Sequence, residues 1–233
     1  MKILSFDVGI NNLSYIKMEK QDNNYNIFSW DNINIYNNIE NTLICCEKYK
    51  NNTKVCSKKA KFYIDTNGNF EYFCGIHSKK KDINLLKKVE KKKKKKKIFL
   101  ELNIKIIELL DNLNLCDVDY VLIEQQPQRN PTMKNISIIL FNYFTIRGII
   151  DKCENKINKV MFISPKNKLK GYDGPEINIK SKNQYTKRKK LAIEHCKYYL
   201  KENEKDLNYF LSLKKKDDAA DCFLQGVWFL KNN

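Results

Sequence analysis

Four carboxylates stand where charge is hard to accommodate. Asp7 interrupts the apolar run Ile3-Leu4-Ser5-Phe6-Asp7-Val8-Gly9, and Glu124 closes Tyr120-Val121-Leu122-Ile123. Asp218 and Asp221 are three residues apart near the C-terminus, so on a helix they share a face, while Asp217 points about 100° away. A carboxylate in an apolar strand is costly unless it is paired, hydrogen-bonded or metal-bound. Acidic groups that converge bind hard divalent cations such as Mg2+. Two such ions about 4 Å apart can activate water and stabilise a leaving oxygen in phosphodiester cleavage. Each residue also has a plain reading. Asp7 could cap the turn at Gly9, Glu124 could be a strand-end surface residue, and Asp217 and Asp218 could cap the last helix. The joint order of strand Asp, strand Glu and helical Asp-x-x-Asp is what favours a metal centre.

A second group is soft rather than hard. Of eight cysteines, four crowd into residues 45–74: Cys45, Cys46, Cys56 and Cys74, the last followed by His77. Cys74-x-x-His77, Cys56 and one of the adjacent pair make a Cys3His set suited to a structural, tetrahedral Zn2+. Cys46 is preferred over Cys45 because it leaves nine residues before Cys56. Residues 60–73 read as a hairpin around Asn67-Gly68, which would deliver Cys74 near Cys56 in a zinc-ribbon-like insert. Four isolated or scattered thiols elsewhere argue for a reducing compartment rather than a disulfide scaffold.

The elements that must position these groups follow from periodicity. Residues 3–9, 13–18 and 25–36 read as three strands of an antiparallel meander. An insert follows at 38–78, then a Lys-rich linker at 79–97 that holds seven consecutive lysines, Lys91 to Lys97. Helical spacing marks 98–113, 131–151, 184–201 and 217–230, and strands are expected at 119–124 and 159–164. The main domain is therefore 1–37 with 98–233, an α/β unit whose early hairpins and later β–α alternation require a mixed sheet flanked by helices.

The formal charge is +17 over 233 residues, and two segments carry it: 79–97 at +10 and 156–216 at +11. A chain this basic usually meets a polyanion. Lys166, Lys168, Lys170, Lys187, Arg188, Lys189 and Lys190 form one candidate phosphate-binding group, and Lys214, Lys215 and Lys216 another. For any single lysine a solvated surface role is the simpler explanation. His195 reads as an ordinary helix residue, Trp30 and Trp228 as core, and Arg147 with helix 131–151 as a candidate dimer face. No run of 18 apolar residues occurs and the N-terminus lacks a signal-peptide core, so an intracellular protein without a membrane span is expected. The run Asp7-Val-Gly-Ile-Asn-Asn12 has no second Gly-rich phosphate loop to accompany it, which disfavours an ATPase.

These motifs resemble the RuvC-like Holliday junction resolvases of the RNase H-like superfamily, most closely the poxvirus-type branch of large DNA viruses. The likeness rests on residues 3–13, on Ile123-Glu-Gln-Gln-Pro127 with Arg129 to Asn135, on Tyr185 to Glu194, and on Lys215 to Asp221. It implies an RNase H-like fold with a five-stranded mixed sheet and a homodimer that makes paired symmetric cuts in four-way DNA junctions. It also implies two Mg2+ per site, replaceable by Mn2+, on Asp7, Glu124, Asp218 and Asp221. The cuts would leave 5′-phosphates, at a viral replication site in the host cytoplasm. The insert departs from the simple family pattern. Two other readings stay open: an RNase H-like nuclease acting on RNA–DNA hybrids or flaps, and a non-catalytic zinc protein that binds nucleic acid.

Overall fold

β1 (Lys2–Val8), β2 (Asn12–Gln21) and β3 (Asn24–Asn34) form an antiparallel meander, with β1 and the first half of β2 buried nearly throughout. In this computed structural model the described residues are 1–22, 24–35, 43–48, 55–89, 99–113, 115–151, 157–181 and 183–233. The chain divides into two units, Met1–Ile35 with Phe99–Asn233, and Tyr36–Ile98.

In the first unit, β7 (Tyr120–Glu124) lies parallel to β1, and β8 (Lys159–Ile163) lies parallel to β7. The strand order is β3-β2-β1-β7-β8, a mixed five-stranded sheet. Helices cover both faces. On one side α2 (Pro131–Phe144) packs on β1, β7 and β8 and against α1 (Phe99–Leu113). Asn130 caps α2, its side chain accepting the Met133 N–H, and Pro131 occupies the first turn. Residues Thr145–Ile150 continue α2 as a wider, π-type turn. On the other side α5 (Lys216–Asn232) packs on β1 and β2, flanked by α3 (Gln184–Leu200) and α4 (Glu204–Ser212). No described helix is long and apolar enough to cross a membrane.

The pleat of β1 sorts its side chains between these layers. Leu4 and Phe6 turn to the α2 side, where Phe6 meets Phe144 at a ring distance of 5.5 Å. Ile3 and Ser5 turn to α5, so Asp7 does too. Ser5 Oγ donates to the Cys222 carbonyl at 2.8 Å, and Gln225 Nε2 donates to Ser5 Oγ at 3.0 Å. Gly226 lets α5 approach this closely, since a Cβ there would lie 3.0 Å from Ile3 Cδ1 and 3.1 Å from Met18 Sδ. Trp30 is buried between Phe210 and Phe223, stacked on both.

Gly9 closes the β1–β2 turn just beyond Asp7, its N–H donating to the Asn12 carbonyl at 2.9 Å. A Cβ on Gly9 would stand 2.7 Å from that same backbone oxygen. Gly9→Ala should therefore cost about 1–3 kcal/mol of stability. The readout is the urea midpoint, and an unchanged midpoint would refute the steric argument.

The second unit is built on a three-stranded sheet of order β5-β4-β6, comprising β4 (Phe62–Thr66), β5 (Asn69–Phe73) and β6 (Lys87–Lys88). Asn67 and Gly68 carry positive φ, the pair a two-residue hairpin turn requires. The stretch 79–89, read above as linker, lies within this fold: His77–Lys80 is one 3-10 turn and Lys87–Lys88 the third strand. Lys91 to Lys97 lie outside the described residues.

Candidate active site and metal centres

Asp7 and Glu124 meet because their strands are parallel neighbours. Phe6 pairs with Ile123, so the two carboxylates emerge side by side at the carboxyl ends of β1 and β7, on the face that α5 covers. Clefts at strand carboxyl ends are where α/β sheets usually bind ligands. Asp221 reaches the same point from α5. All three surround a single ammonium. Lys168 Nζ lies 2.6 Å from Asp7 Oδ1, 2.9 Å from Glu124 Oε1 and 3.2 Å from Asp221 Oδ2. Gln126 Nε2 donates to the other Glu124 oxygen, Oε2, at 2.9 Å.

Asp218 stands beside this trio rather than in it. Its Oδ1 is 3.7 Å from Lys189 Nζ, and Lys189 also pairs closely with Asp217. The clasp is anchored at the helix start, where Asn32 Nδ2 donates to the Lys215 carbonyl at 2.9 Å.

The electrostatics follow from crowding. Burial, then the Asp7 charge, push Glu124 up to about 7 despite Lys168. Burial also pushes Asp221 up to about 6, with Asp7 and Asp218 adding to the rise and Lys168 opposing it. Burial and the Asp217 and Asp7 charges raise Asp218 as well. Burial alone would lower Lys168, but Asp7, Asp221 and Glu124 outweigh it and hold the ammonium well above its ordinary range. Three half-buried carboxylates share one cation, so negative charge remains in excess. Hard oxygen donors with surplus negative charge fit a divalent cation such as Mg2+.

Lys168 corrects the sequence reading, which placed it with surface phosphate contacts. It is only 6% exposed. Pro165–Asn167 forms a 3-10 turn directly after β8, and that turn aims the next residue inward under the sheet end. A lysine one turn beyond the strand next to Glu124 was the available signal. Lys189 likewise serves Asp217 and Asp218. Lys166, Lys170, Arg188, Lys190, Lys214 and Lys215 are exposed, and Lys187 and Lys216 half-exposed. His195 is a buried helix residue stacked on Tyr172.

Removing the Lys168 charge should matter most without divalent metal. Lys168→Met should cost about 3–5 kcal/mol of stability in metal-free buffer, the cost of stripping a partner from buried charges. Added Mg2+ should shrink the loss. Equal losses with and without Mg2+, read from urea midpoints, would rule out a shared cation position.

The second unit holds the soft site. Cys45, Cys56, Cys74 and His77 are all buried, and their ligand atoms lie within 4.8 Å of one another. Cys45 Sγ is 3.2 Å from His77 Nδ1. A tetrahedral zinc bound by sulfur spaces its ligand atoms by about 3.7 Å, so this set fits that ion. Burial opposes ionisation of the Cys74 thiol, but the backbone N–H groups of His77 and Ile76 outweigh it and hold the thiol below its usual range. The structure selects Cys45 where spacing favoured Cys46. Residues 43–48 run beside 55–60, bridged at Ile44–Lys59 and Lys48–Val55, with Cys45 N–H donating to the Lys58 carbonyl. In such extended chain neighbouring side chains point oppositely, so Cys45 turns in and Cys46 is exposed.

A mixed sheet with its meander, parallel strands, flanking helices and carboxylates at the strand ends is the RNase H-like arrangement of the junction-resolving nucleases. Residues 3–144, more than half of the chain, match the model of the family described as mitochondrial resolvase Ydc2 / RNA splicing MRS1. The chain belongs to that family. It is 31% identical to uncharacterized protein L451 of Acanthamoeba polyphaga mimivirus, over 93% of this chain and 56% of that protein. The chain thus spans little more than half the length of this curated relative. The yeast mitochondrial Holliday junction resolvase Ydc2 shares the fold, with a TM-score of 0.51 at 16% identity, covering 98% of this chain and 78% of Ydc2. The fowlpox virus resolvase, solved with Holliday junction DNA, gives a TM-score of 0.49 at 16% identity, covering 100% of this chain and 98% of that one.

Proposed function

We propose that the chain is a metal-dependent, structure-selective endonuclease that resolves four-way DNA junctions by paired symmetric cuts. The observation that carries this reading is the convergence of Asp7, Glu124 and Asp221 on one positive charge. The family description covers both a resolvase and an RNA-splicing protein. A half-buried, electrostatically crowded carboxylate centre closed around a buried lysine favours the nuclease, because a protein that only binds nucleic acid has no use for so costly an arrangement.

Asp7 Oδ1, Glu124 Oε1 and Asp221 Oδ2, with Asp218 beside them, would hold Mg2+ or Mn2+. Bound there, the metal supplies an activated water and stabilises the charge of the leaving oxygen. Gln126 orients Glu124 through its second oxygen, and Lys189 keeps Asp217 and Asp218 at the rim. Exposed Arg188, Lys190, Lys214 and Lys215 draw in the phosphate backbone. The products would be 5′-phosphate and 3′-hydroxyl ends. Zn2+ on Cys45, Cys56, Cys74 and His77 would be structural, since four protein ligands leave no open position.

A homodimer fits two coordinated cuts. Support comes from apolar side chains left exposed along α1 and α2, among them Phe99, Leu100, Ile104 and Ile138, beside a groove that includes Tyr143 and Arg147. The mimivirus relative supports a viral origin; work at a viral replication site in the host cytoplasm is part of the proposal.

The test compares labelled four-way junctions, RNA–DNA hybrids and flaps, with and without Mg2+. Paired symmetric cuts in the junction alone support the proposal. Preferential cutting of hybrid or flap, or binding without turnover, would overturn it.

A further inference from the structure

The hairpin of the second unit carries its aromatic side chains on the wrong face for a core. Phe62 opposes Phe73, and Phe73 is fully buried, so that face points inward. Tyr63 opposes Tyr72, and Phe70 lies two residues from Tyr72, so these three share the other face. Their rings form one cluster: Tyr63 is 5.9 Å from Phe70 and 6.3 Å from Tyr72, and Phe70 stacks on Tyr72 at 6.4 Å. Phe70 is 52% exposed, and the two tyrosines are half-exposed.

The surroundings are strongly positive. Lys87 of β6 is the cross-strand neighbour of Tyr63, which puts an ammonium on the same face as the rings. Lys58, Lys61, Lys87 and Lys88 are all exposed. Residues 36–98 contain 18 lysines against six acidic residues. The acidic side chain that shares the aromatic face, Asp65, is turned to the hairpin, where Oδ1 accepts the Gly68 N–H at 3.0 Å. Glu71 falls on the opposite face by register.

From this juxtaposition we propose that the Tyr63–Phe70–Tyr72 face binds an unpaired nucleic-acid strand, the rings stacking on bases and Lys87 meeting the phosphates. Stacking needs flat apolar surface that remains open to solvent, and phosphates need flanking cations. Together they are the recurrent solution for unpaired strands, and neither suits a duplex, whose bases are already stacked. The inference goes beyond the nuclease reading. It assigns the insert a contact of its own.

The test uses the full, zinc-loaded chain in Mg2+-free buffer, so that no strand is cut. Fluorescence anisotropy follows a labelled oligothymidylate of about 15 nucleotides, the order of one site, beside an oligouridylate and a duplex of the same length. Wild-type chain should bind the single strands more tightly than the duplex. The double variant Tyr63→Ala, Tyr72→Ala should bind them about tenfold or more weakly, while Tyr63→Phe, Tyr72→Phe should stay within about twofold. Lys87→Ala should lower the salt dependence by about 0.7 in log–log slope. Zinc content, measured alongside, reports that the unit is folded. Loss on either oligonucleotide supports the proposal and identifies which sugar the face takes. Unchanged binding of both by the zinc-replete alanine variant would overturn it, as would duplex preference in the wild type. A change in oligomeric state without a change in strand affinity would assign the face to a second copy instead. Junction cleavage in Mg2+ is a separate readout, so failure of either proposal is told from failure of the other.

Discussion

Asp7→Asn should abolish Mg2+-dependent strand cleavage while leaving junction binding intact. The substitution keeps the shape and removes one charge from the point where three carboxylates meet. A metal that stabilises transition-state charge is worth several kcal/mol. Losing about 5 kcal/mol of that stabilisation corresponds to a rate reduction of roughly 10⁴-fold. Binding should persist, because the exposed lysines proposed to meet phosphate are elsewhere. In metal-free buffer the variant removes one of the like charges that raise Glu124 and Asp221, so the fold need not suffer. Glu124→Gln should behave in the same way. Single-turnover cleavage and a gel-shift titration on the same junction separate the two effects. Retained Mg2+-dependent cutting in either variant would refute the site.

The second large effect concerns the insert. Cys45→Ser should abolish metal binding at the Cys/His cluster and unfold residues 43–48 and 55–89, whereas Cys46→Ser should change neither. Among the described residues, the only buried apolar side chains of this unit are Cys45, Cys56, Ala60, Phe73 and Cys74. That is too little to fold on, so the metal proposed for the Cys/His cluster would supply the stability. Structural zinc binding contributes about 10–16 kcal/mol in comparable small modules, and there it is folding energy. Zinc stoichiometry should fall from about one per chain to near zero in Cys45→Ser under chelator competition. Limited proteolysis should then cut within the insert and spare the unit formed by Met1–Ile35 and Phe99–Asn233. A Cys46→Ser chain that loses zinc, or a Cys45→Ser chain that keeps it, would reverse the assignment.

Much of the first unit was legible because its signals are periodic and strong. β1, β7 and α5 each carry a carboxylate inside an apolar pattern, and pattern plus order pointed to a common site. Several features were not legible, each for a physical reason. α4 was missed because Leu207 and Phe210 are the main inward residues of a short polar segment, too few to show a period. Lys168 was taken for surface because a basic stretch gives no hint that one member turns inward; the turn after β8 decides that. Cys45 lost to Cys46 because spacing along the chain is blind to side-chain alternation, which the pairing of 43–48 with 55–60 imposes. Gln126 and the Lys189 clasp are supports whose value depends on distances between elements far apart in sequence.

The three carboxylates around Lys168 come from positions 7, 124 and 221, so the centre spans 214 residue steps of chain. None of the three strands and helices that bring them can close the site alone. Contacts of such high sequence separation form late in folding, after the loops between them have been closed. On the function proposed above, a chain emerging from the ribosome would carry no cutting activity until Asp221 has been made and α5 has docked on β1. The same holds for any fragment that ends earlier. For the nuclease proposed above, that dependence would make hydrolysis a property of the finished fold.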